Sequence, residues 1–151
     1  MPRLKWSQQG LRDVARLHGF LAPKSRDAAK RAVKAIRQGI KLLGKYPEMG
    51  RPVDELPPEF REWVIEFGSG AYVVLYRFDG KQVVILAVRH GREAVEQYVS
   101  REEKRERLRQ DALAAWSYFE KTGLHATAEE ADAWLARLEA GEDAQAPECH
   151  V

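Results

Sequence analysis

The chain is predicted to fold as an α+β domain, a helical hairpin packed on a small and mainly antiparallel sheet, followed by a helical tail. Three observations predict this class. Two helical patterns adjoin one another near the start, three strand patterns follow between residues 61 and 88, and strong helix formers dominate after residue 92. Helices and strands that occur in separate runs are typical of α+β folds.

The helical hairpin is predicted from two capping serines. Leu4-Lys5-Trp6 alternates like a short edge strand, and Ser7 can then cap a helix whose apolar positions keep helical spacing to Leu21. After a three-residue break, Ser25 caps a second helix that runs to about Leu43, with a glycine just past its end. Two helices joined by so short a break form a hairpin.

The sheet is predicted from the segment after the hairpin. Residues 47–58 contain four prolines and are therefore irregular. Arg61 to Phe67 alternates, whereas Ala71 to Phe78 and Val83 to Val88 are apolar on both faces, as central strands are. Asp79-Gly80 between the last two segments is a strong signal for a two-residue hairpin turn.

We divide the chain into a body, residues 1–92, and a tail, residues 93–151. Residues 93–110 read as an exposed bridging helix, since no apolar residue occurs from Ser100 to Arg107. Residues 111–141 regain apolar positions and contain a second, short helix opened by a capping box at Thr127 to Glu130. Residues 142–151 are acidic, and we expect them to be frayed.

The charge of the chain is divided between body and tail. The body carries 18 Lys and Arg against 9 Asp and Glu, and the tail carries 7 against 14. Residues 93–110 are balanced, so the whole acidic excess lies from Asp111 onward. A basic body indicates an anionic partner, and an acidic segment in the same chain indicates that this partner is held internally.

Other classes of protein are disfavoured by composition. No run of 18 apolar residues is present, so no membrane span is expected, and Met1 to Lys5 leads into no apolar signal core, so secretion is not expected. The single cysteine, Cys149, cannot form an internal disulfide, which fits a cytoplasmic protein. Cys149-His150 is weak support for a metal, so neither a metal nor a cofactor is predicted.

The body resembles the RelE/ParE-type toxins of type II toxin–antitoxin systems over about residues 2–93. The matching features, in order, are Lys5-Trp6-Ser7, the helical hairpin, Arg61-Glu62-Trp63, the strand from Tyr72 to Arg77 and the ending Val88-Arg89-His90-Gly91-Arg92. The resemblance implies one of two activities, because ParE-like toxins poison DNA gyrase and RelE-like toxins cut mRNA on the ribosome. The sequence is closer to ParE, so DNA gyrase is the expected target and an enzymatic role is disfavoured.

The tail resembles part of a ribbon-helix-helix antitoxin of the CopG/ParD type. Glu93 to Val99, with Glu102 to Arg105, is similar to the end of the second antitoxin helix. Asp111 to Trp116, Thr122 to His125 and Ala133-Trp134-Leu135 are similar to the toxin-binding region. The DNA-reading ribbon is missing, which argues against operator DNA binding. The resemblance implies a toxin fused to the neutralising part of an antitoxin.

Two groups of cations are candidate functional residues. The first is a stripe on one face of the second helix: Lys30, Lys34, Arg37, Lys41 and Lys45. Together with Arg89 and Arg92 after the last strand pattern, this stripe is the predicted target-binding set. An ordinary solvated helix face is the competing interpretation. The second group would serve a metal-free nuclease, which needs an acid, a base and cations for the phosphorane: His90, Arg61, Arg77 and Arg89.

The tail is expected to pack on the body through its apolar residues, since they are too few for a separate core. The predicted interface consists of Leu113, Trp116, Phe119, Leu124, Trp134, Leu135 and Leu138. A helix of about 25 residues would span about 38 Å, longer than a domain of this size is wide. The tail therefore has two possible hosts, its own body or the body of a second copy in a swapped homodimer.

Overall fold

The helical hairpin begins where the two capping serines predict. The computed structural model describes residues 2–68, 70–90 and 101–151. Helix α1 spans Gln8–Leu21, and the Ser7 hydroxyl accepts a hydrogen bond from the first turn at 3.0 Å. Helix α2 spans Arg26–Lys45, and Ser25 caps it at 3.1 Å. Helix α2 extends two residues past its predicted end, because the helix continues until the proline at position 47 disfavours it.

Six strands form one sheet, in the order β2-β3-β4-β5-β1-β6. Their bounds are β1 Arg3–Trp6, β2 Arg51–Pro52, β3 Phe60–Phe67, β4 Gly70–Phe78, β5 Gln82–His90 and β6 Ala126–Thr127. Strand β1 runs parallel to β5, and the other neighbours are antiparallel. The predicted α+β fold with a mainly antiparallel sheet is confirmed. The prediction that β1 is an edge strand is wrong, because the tail adds β6 beside it.

The β4–β5 hairpin turns at the predicted Asp79-Gly80. The Asp79 carboxylate accepts hydrogen bonds from the backbone amides of Lys81 and Gln82, both at 2.9 Å. Gly80 has φ 92°, a left-handed conformation that a side chain would strain. The turn residues therefore set the register that runs from Phe78 opposite Val83 into the sheet.

The two faces of the sheet are covered by different segments of the chain. Helices α1 and α2 pack on one face and build the main core, which includes Trp6, Val14, Ile36 and Ile85. Helix α3, Arg101–Thr122, covers the other face and forms a second, smaller apolar cluster with β4 and β5. The start predicted for the bridging helix, residues 93–100, lies outside the described residues.

The tail passes from one face of the sheet to the other around the edge of β1. Gly123, with φ 71°, ends α3, and β6 then pairs with β1. Helix α4, Ala128–Glu139, follows and packs beside α2 within the main core. The predicted capping box is present, since Thr127 accepts from the Glu130 amide at 3.1 Å and Glu130 accepts from the Thr127 amide at 2.8 Å.

The last ten residues are packed, which differs from the frayed end expected from their acidic composition. His125 and His150 exchange two backbone hydrogen bonds of 2.9 Å each. The indole of Trp134 donates to the Ala144 carbonyl at 3.0 Å. Ala144, Ala146 and Cys149 lie against the main core. Small apolar residues between the charges therefore dock a segment whose average composition is polar.

Candidate target-binding surface

The cationic stripe of α2 lies on the face that meets α4. Arg37 donates to both carboxylate oxygens of Asp132, at 2.7 and 3.1 Å, and to Glu139 at 3.1 Å. These bonds raise the pKa of Arg37, and the guanidinium lowers the pKa of Asp132. Lys41 lies 3.9 Å from the same Asp132. The tail thus places two carboxylates on the middle of the stripe.

The two ends of the stripe are less covered than its middle. Lys30 and Lys34 are exposed, as are Lys41 and Lys45, whereas Arg37 is half-buried. The Lys30 stem passes Gly141 so closely that an added Cβ would lie 2.8 Å from Cε. One contact was missed from the sequence: Arg26 forms a two-pronged bond with Asp143 at 3.0 and 3.1 Å. The acidic residues after Gly141 were the available signal, because a carboxylate in an ordered segment is expected to pair with a nearby cation of the body.

Arg89 lies between the body and the tail at the end of β5. Its Nε donates to Asp13 on α1 at 3.2 Å, and its NH2 group donates to Asp111 on α3 at 2.7 Å. Burial alone lowers the pKa of Arg89, but the charge of Asp13 and the bond to Asp111 more than offset it, and the pKa is raised. Arg89 is therefore locked as a cation by one carboxylate from each segment.

Asp13 was not identified from the sequence, although it is almost fully buried. Its carboxylate also accepts from the Val88 amide at 2.9 Å and from the Gln9 side chain at 2.8 Å. Strand β1 pairs with β5 only as far as Ile85, so Val88 lies beyond the paired region. The position of Asp13 on the apolar face of the predicted first helix was the available signal, because a buried carboxylate needs a hydrogen-bond or ion-pair partner.

Arg77 and Arg61 are placed in different surroundings. The Arg77 guanidinium lies 4.0 Å from the ring centre of Trp116, which is a cation–π contact with the tail. Arg61 donates to the carbonyls of Glu48 and Gly50 at 3.2 and 2.7 Å, and so holds the loop before β2. Arg61 thus contacts the backbone of the body, whereas Arg77 contacts the tail.

The four nuclease candidates do not form one cluster. Arg61 pairs with Tyr76 and Arg77 pairs with Val84, whereas Arg89 lies opposite Val73. Positions 84 and 89 of β5 are about 17 Å apart along the strand. The antiparallel register therefore places Arg61 and Arg77 near one end of the sheet, with Arg89 and His90 near the other.

His90 lies beside a buried tyrosine. Its ring packs edge-on against Tyr72, with ring centres 5.1 Å apart. Burial raises the pKa of Tyr72, so this phenol stays protonated at neutral pH. Arg92, the remaining residue of the target-binding set, lies outside the described residues.

Most of the predicted interface residues are buried between tail and body. Phe119, Trp134, Leu135 and Leu138 are buried, and Trp116 and Leu124 are half-buried. Leu113 differs from its expected place, since it is 41% exposed. The buried face of α3 instead carries the residues at spacing 4, 3 and 4: Leu108, Ala112, Ala115 and Phe119. Leu113 follows Ala112 by about 100° around the helix and so faces away.

Neither a metal site nor a membrane span is present in the part of the chain that the structure describes. Within residues 2–68, 70–90 and 101–151, no group of three His, Cys, Asp or Glu side chains is placed to hold a metal ion. Among the helices of the same ranges, none has the length and apolar character needed to cross a bilayer.

These features define a class of protein, a small basic α+β domain in which Arg26, Arg37 and Arg89 form ion pairs with carboxylates of its acidic tail. Residues 4–95 match the family described as ParE toxin of type II toxin-antitoxin system, parDE, and the chain belongs to this family. Two toxins of Caulobacter vibrioides are similar to the body. Toxin RelE3 is 29% identical over 93 residues, which are 62% of this chain and 98% of that toxin. Toxin RelE1 is 34% identical over 87 residues, 58% of this chain and 90% of that toxin.

Proposed function

We propose that this ParE-family toxin is held neutral by its own tail, residues 93–151, which acts as the toxin-binding part of a ParD/CopG-type antitoxin. A type II toxin has an antitoxin partner, and the proposal assigns that role to a segment of the same chain. The proposal rests on one observation. Asp132 and Glu139 of the tail both form ion pairs with Arg37, which lies in the middle of the predicted target-binding stripe.

Two further contacts support a neutralising role for the tail. Asp111 binds the outward edge of Arg89, a second member of the predicted target-binding set. Trp116, which is on α3 like Asp111, lies over the guanidinium of Arg77 on β4. A target that approached Arg89 would first have to displace α3, because a guanidinium edge already bonded to a carboxylate is not free for a second anion. At Arg77 the obstacle is the Trp116 ring that lies over the guanidinium.

The proposed target of the uncovered body is DNA gyrase, and the site of action is the cytoplasm. Similarity to the ParE family supports gyrase over the ribosome. The positions of the nuclease candidates support it as well, since general acid, base and phosphorane-binding groups must lie within reach of one phosphate. Arg77 and Arg89 are too far apart along the sheet for that.

A ribosome-dependent mRNA interferase, neutralised in the same way, is the second candidate. It is favoured by the names of the two similar toxins, RelE3 and RelE1. His90 would then act with Arg89 alone at the end of β5. Cleavage of mRNA on translating ribosomes by the uncovered body, and its loss in a His90→Ala variant, would establish this candidate in place of the gyrase proposal.

Removal of the tail tests the proposal. We expect deletion of residues 100–151 to arrest growth of cells and to inhibit supercoiling by purified gyrase, whereas the full chain does neither. The matched control is deletion of residues 142–151 alone, which keeps α3, α4 and their carboxylates on Arg37 and Arg89. A folded body that is inert in both assays would contradict the proposal, and circular dichroism of the shortened chain establishes that it is folded.

The tail could form the same contacts with its own body or with the body of a second copy of the chain. We propose that a swapped homodimer, if formed, is neutralised by these same contacts, because each body still receives one tail. The mass in solution, measured by light scattering, distinguishes the two arrangements: about 17 kDa for packing within one chain and about 34 kDa for a dimer.

A further inference from the structure

A groove of about 920 Å³ lies at the seam between body and tail. One wall comes from β1 and the second half of α2, and the other from α4 and the residues on either side of β6. Aliphatic side chains line its inner part: the half-buried Leu4 and the buried Ile40 and Leu135. Arg37 and Asp132 also line the groove, so it adjoins one ion pair that the neutralisation proposal uses, whereas Arg89 is not among its lining residues.

The groove is surrounded by cations that the tail does not neutralise. Arg3 and Lys5 line it from β1, and Lys41 and Lys45 line it from α2. Within the described ranges, Arg3, Lys5 and Lys45 form no ion pair with a carboxylate, and Lys41 only approaches Asp132 at 3.9 Å. Lys5 instead lies over the Phe119 ring at 5.7 Å, and Lys45 over the Tyr46 ring at 5.9 Å.

The acids of the groove do not balance these cations. Its carboxylate side chains are Glu129 and Asp132, both on α4. Asp132 is already bonded to Arg37 through both of its oxygens. The stripe of α2 therefore divides into a middle that the tail covers with carboxylates and an end, at Lys41 and Lys45, that opens into the groove.

We infer that this seam groove binds an acidic peptide segment with interspersed apolar residues. The cations at its rim supply charge complementarity, and the aliphatic inner part supplies burial for leucine-sized side chains. The chain itself displays the same recognition, since α4 places Asp132 and Glu139 on this stripe while it buries Leu135 and Leu138.

A peptide fits the groove better than a nucleic acid does. Single-stranded nucleic acids are bound by aromatic faces on which bases stack. Of the aromatic side chains that line this groove, Trp6 is only 1% exposed, and the His125 ring already lies against the rings of Phe119 and His150. Aliphatic side chains with cations around them are the complement of an acidic, partly apolar peptide. This inference goes beyond the neutralised-toxin proposal and does not depend on it.

A labelled peptide tests the inference on the full chain. The probe is a fluorescein-labelled decapeptide of alternating Glu and Leu, and its binding is followed by fluorescence anisotropy at low and high salt. We expect saturable binding that weakens as salt increases. Charge reversal in either element of the first wall, Arg3→Glu on β1 or Lys45→Glu on α2, should lower the affinity about fivefold, since each removes an attraction and adds a repulsion.

The matched control is Lys24→Glu, an exposed lysine before the start of α2, about 30 Å along that helix from Lys45. The inference requires this variant to bind as the unchanged chain does, with circular dichroism unaltered in all three variants. An equal loss in Lys24→Glu would overturn it in favour of unspecific charge attraction. Equal binding of a Glu-Ser decapeptide, or tighter binding of a single-stranded oligonucleotide of the same charge, would overturn it as well.

Discussion

The two helices of the tail bind the body in different ways. Helix α4 inserts Trp134, Leu135 and Leu138 into the main core, and all three side chains are less than 5% exposed. Helix α3 approaches the other face of the sheet through Ala112 and Ala115, with Phe119 as a large side chain buried beside them, and forms a separate cluster. Small residues allow close approach but bury little apolar area each. We therefore expect α4 to hold the tail and α3 mainly to cover the arginines beneath it.

The largest expected effect comes from the anchor of α4. Trp134→Ala should lower the free energy of unfolding by about 3–5 kcal/mol, because it leaves a cavity in the main core and removes the bond to Ala144. Trp116→Ala on α3 should cost about 1–2 kcal/mol, since Trp116 is half-buried and loses its stacking on Phe119 and its contact with Arg77. Urea unfolding measures both values. Tyr118→Ala, at a 43% exposed position of α3, is the control.

That comparison has a clear failing outcome. If Trp116→Ala destabilises the chain as much as Trp134→Ala does, the tail is held equally by both helices and the division of roles is wrong. The control should remain within about 0.5 kcal/mol of the unchanged chain, because exposed positions away from special contacts tolerate substitution.

The second effect compares the two carboxylates on Arg89. Asp13→Ala should cost about 3 kcal/mol, because it leaves the Val88 amide unpaired and breaks a buried ion pair. Asp111→Ala should cost about 1 kcal/mol or less, since its side chain is 44% exposed. Chemical denaturation of the two variants checks the order, and a larger loss for Asp111→Ala would mean that the tail, not the body, positions Arg89.

The third effect concerns the grip on Arg37. The double variant Asp132→Asn with Glu139→Gln should lower the free energy of unfolding by about 1–2 kcal/mol, a value discounted because these side chains are 25–36% exposed. The loss should shrink in 1 M salt, where the Debye length is about 3 Å. Glu129→Gln, an exposed acid of the same helix, is the control and should have little effect. A loss that is independent of salt would indicate packing and not charge.

The smallest effect is a pH dependence at the end of the tail. His150 bonds Glu130 at 2.6 Å, which raises the pKa of His150 and contributes to lowering the pKa of Glu130 to about 2. The amide of Thr127 is the first cause of the Glu130 shift. Because the histidine pKa is raised on folding, its stabilisation is complete below the unfolded value near 6.5 and is lost as pH rises through the folded value.

The carboxylate contributes in the opposite sense. Its stabilisation is complete above the unfolded pKa of Glu130, near 4.5, and is lost as pH falls toward 2. The pair should therefore be strongest near pH 5.5. The other titratable groups here are the ring of His125, 5.2 Å away, and Cys149, whose burial raises its pKa. The melting temperature of the unchanged chain, minus that of His150→Gln, should fall from pH 5.5 to pH 8.5. An unchanged difference would contradict a role for this pair.

Much of the fold was predictable because its signals are local. The capping serines Ser7 and Ser25, the Asp79-Gly80 turn and the capping box at Thr127 each depend on residues a few positions apart, and all are present. The position of β1 between β5 and β6 was not predictable in this way. A four-residue strand carries no information on its neighbours, and β6 is only two residues long.

The candidate site was predictable as a set of residues but not as an arrangement. Helical spacing placed Arg37 and Lys41 on one face, and the acidic tail indicated what would cover them. The split of Arg77 from Arg89 depends on which residues of β4 and β5 face each other across the sheet. The packed end likewise depends on the pairing of His125 with His150, which are 25 positions apart. Such long-range pairings have no local signature.

The most direct test of the account supplies the two segments separately. Residues 1–99 and residues 100–151 are expressed in the same cells from independent promoters. We predict that the body alone arrests growth, that the tail segment restores growth, and that a tail segment carrying Trp134→Ala does not. Growth arrest by the body that the unchanged tail fails to relieve, although both segments are produced, would contradict the claim that the tail neutralises the toxin.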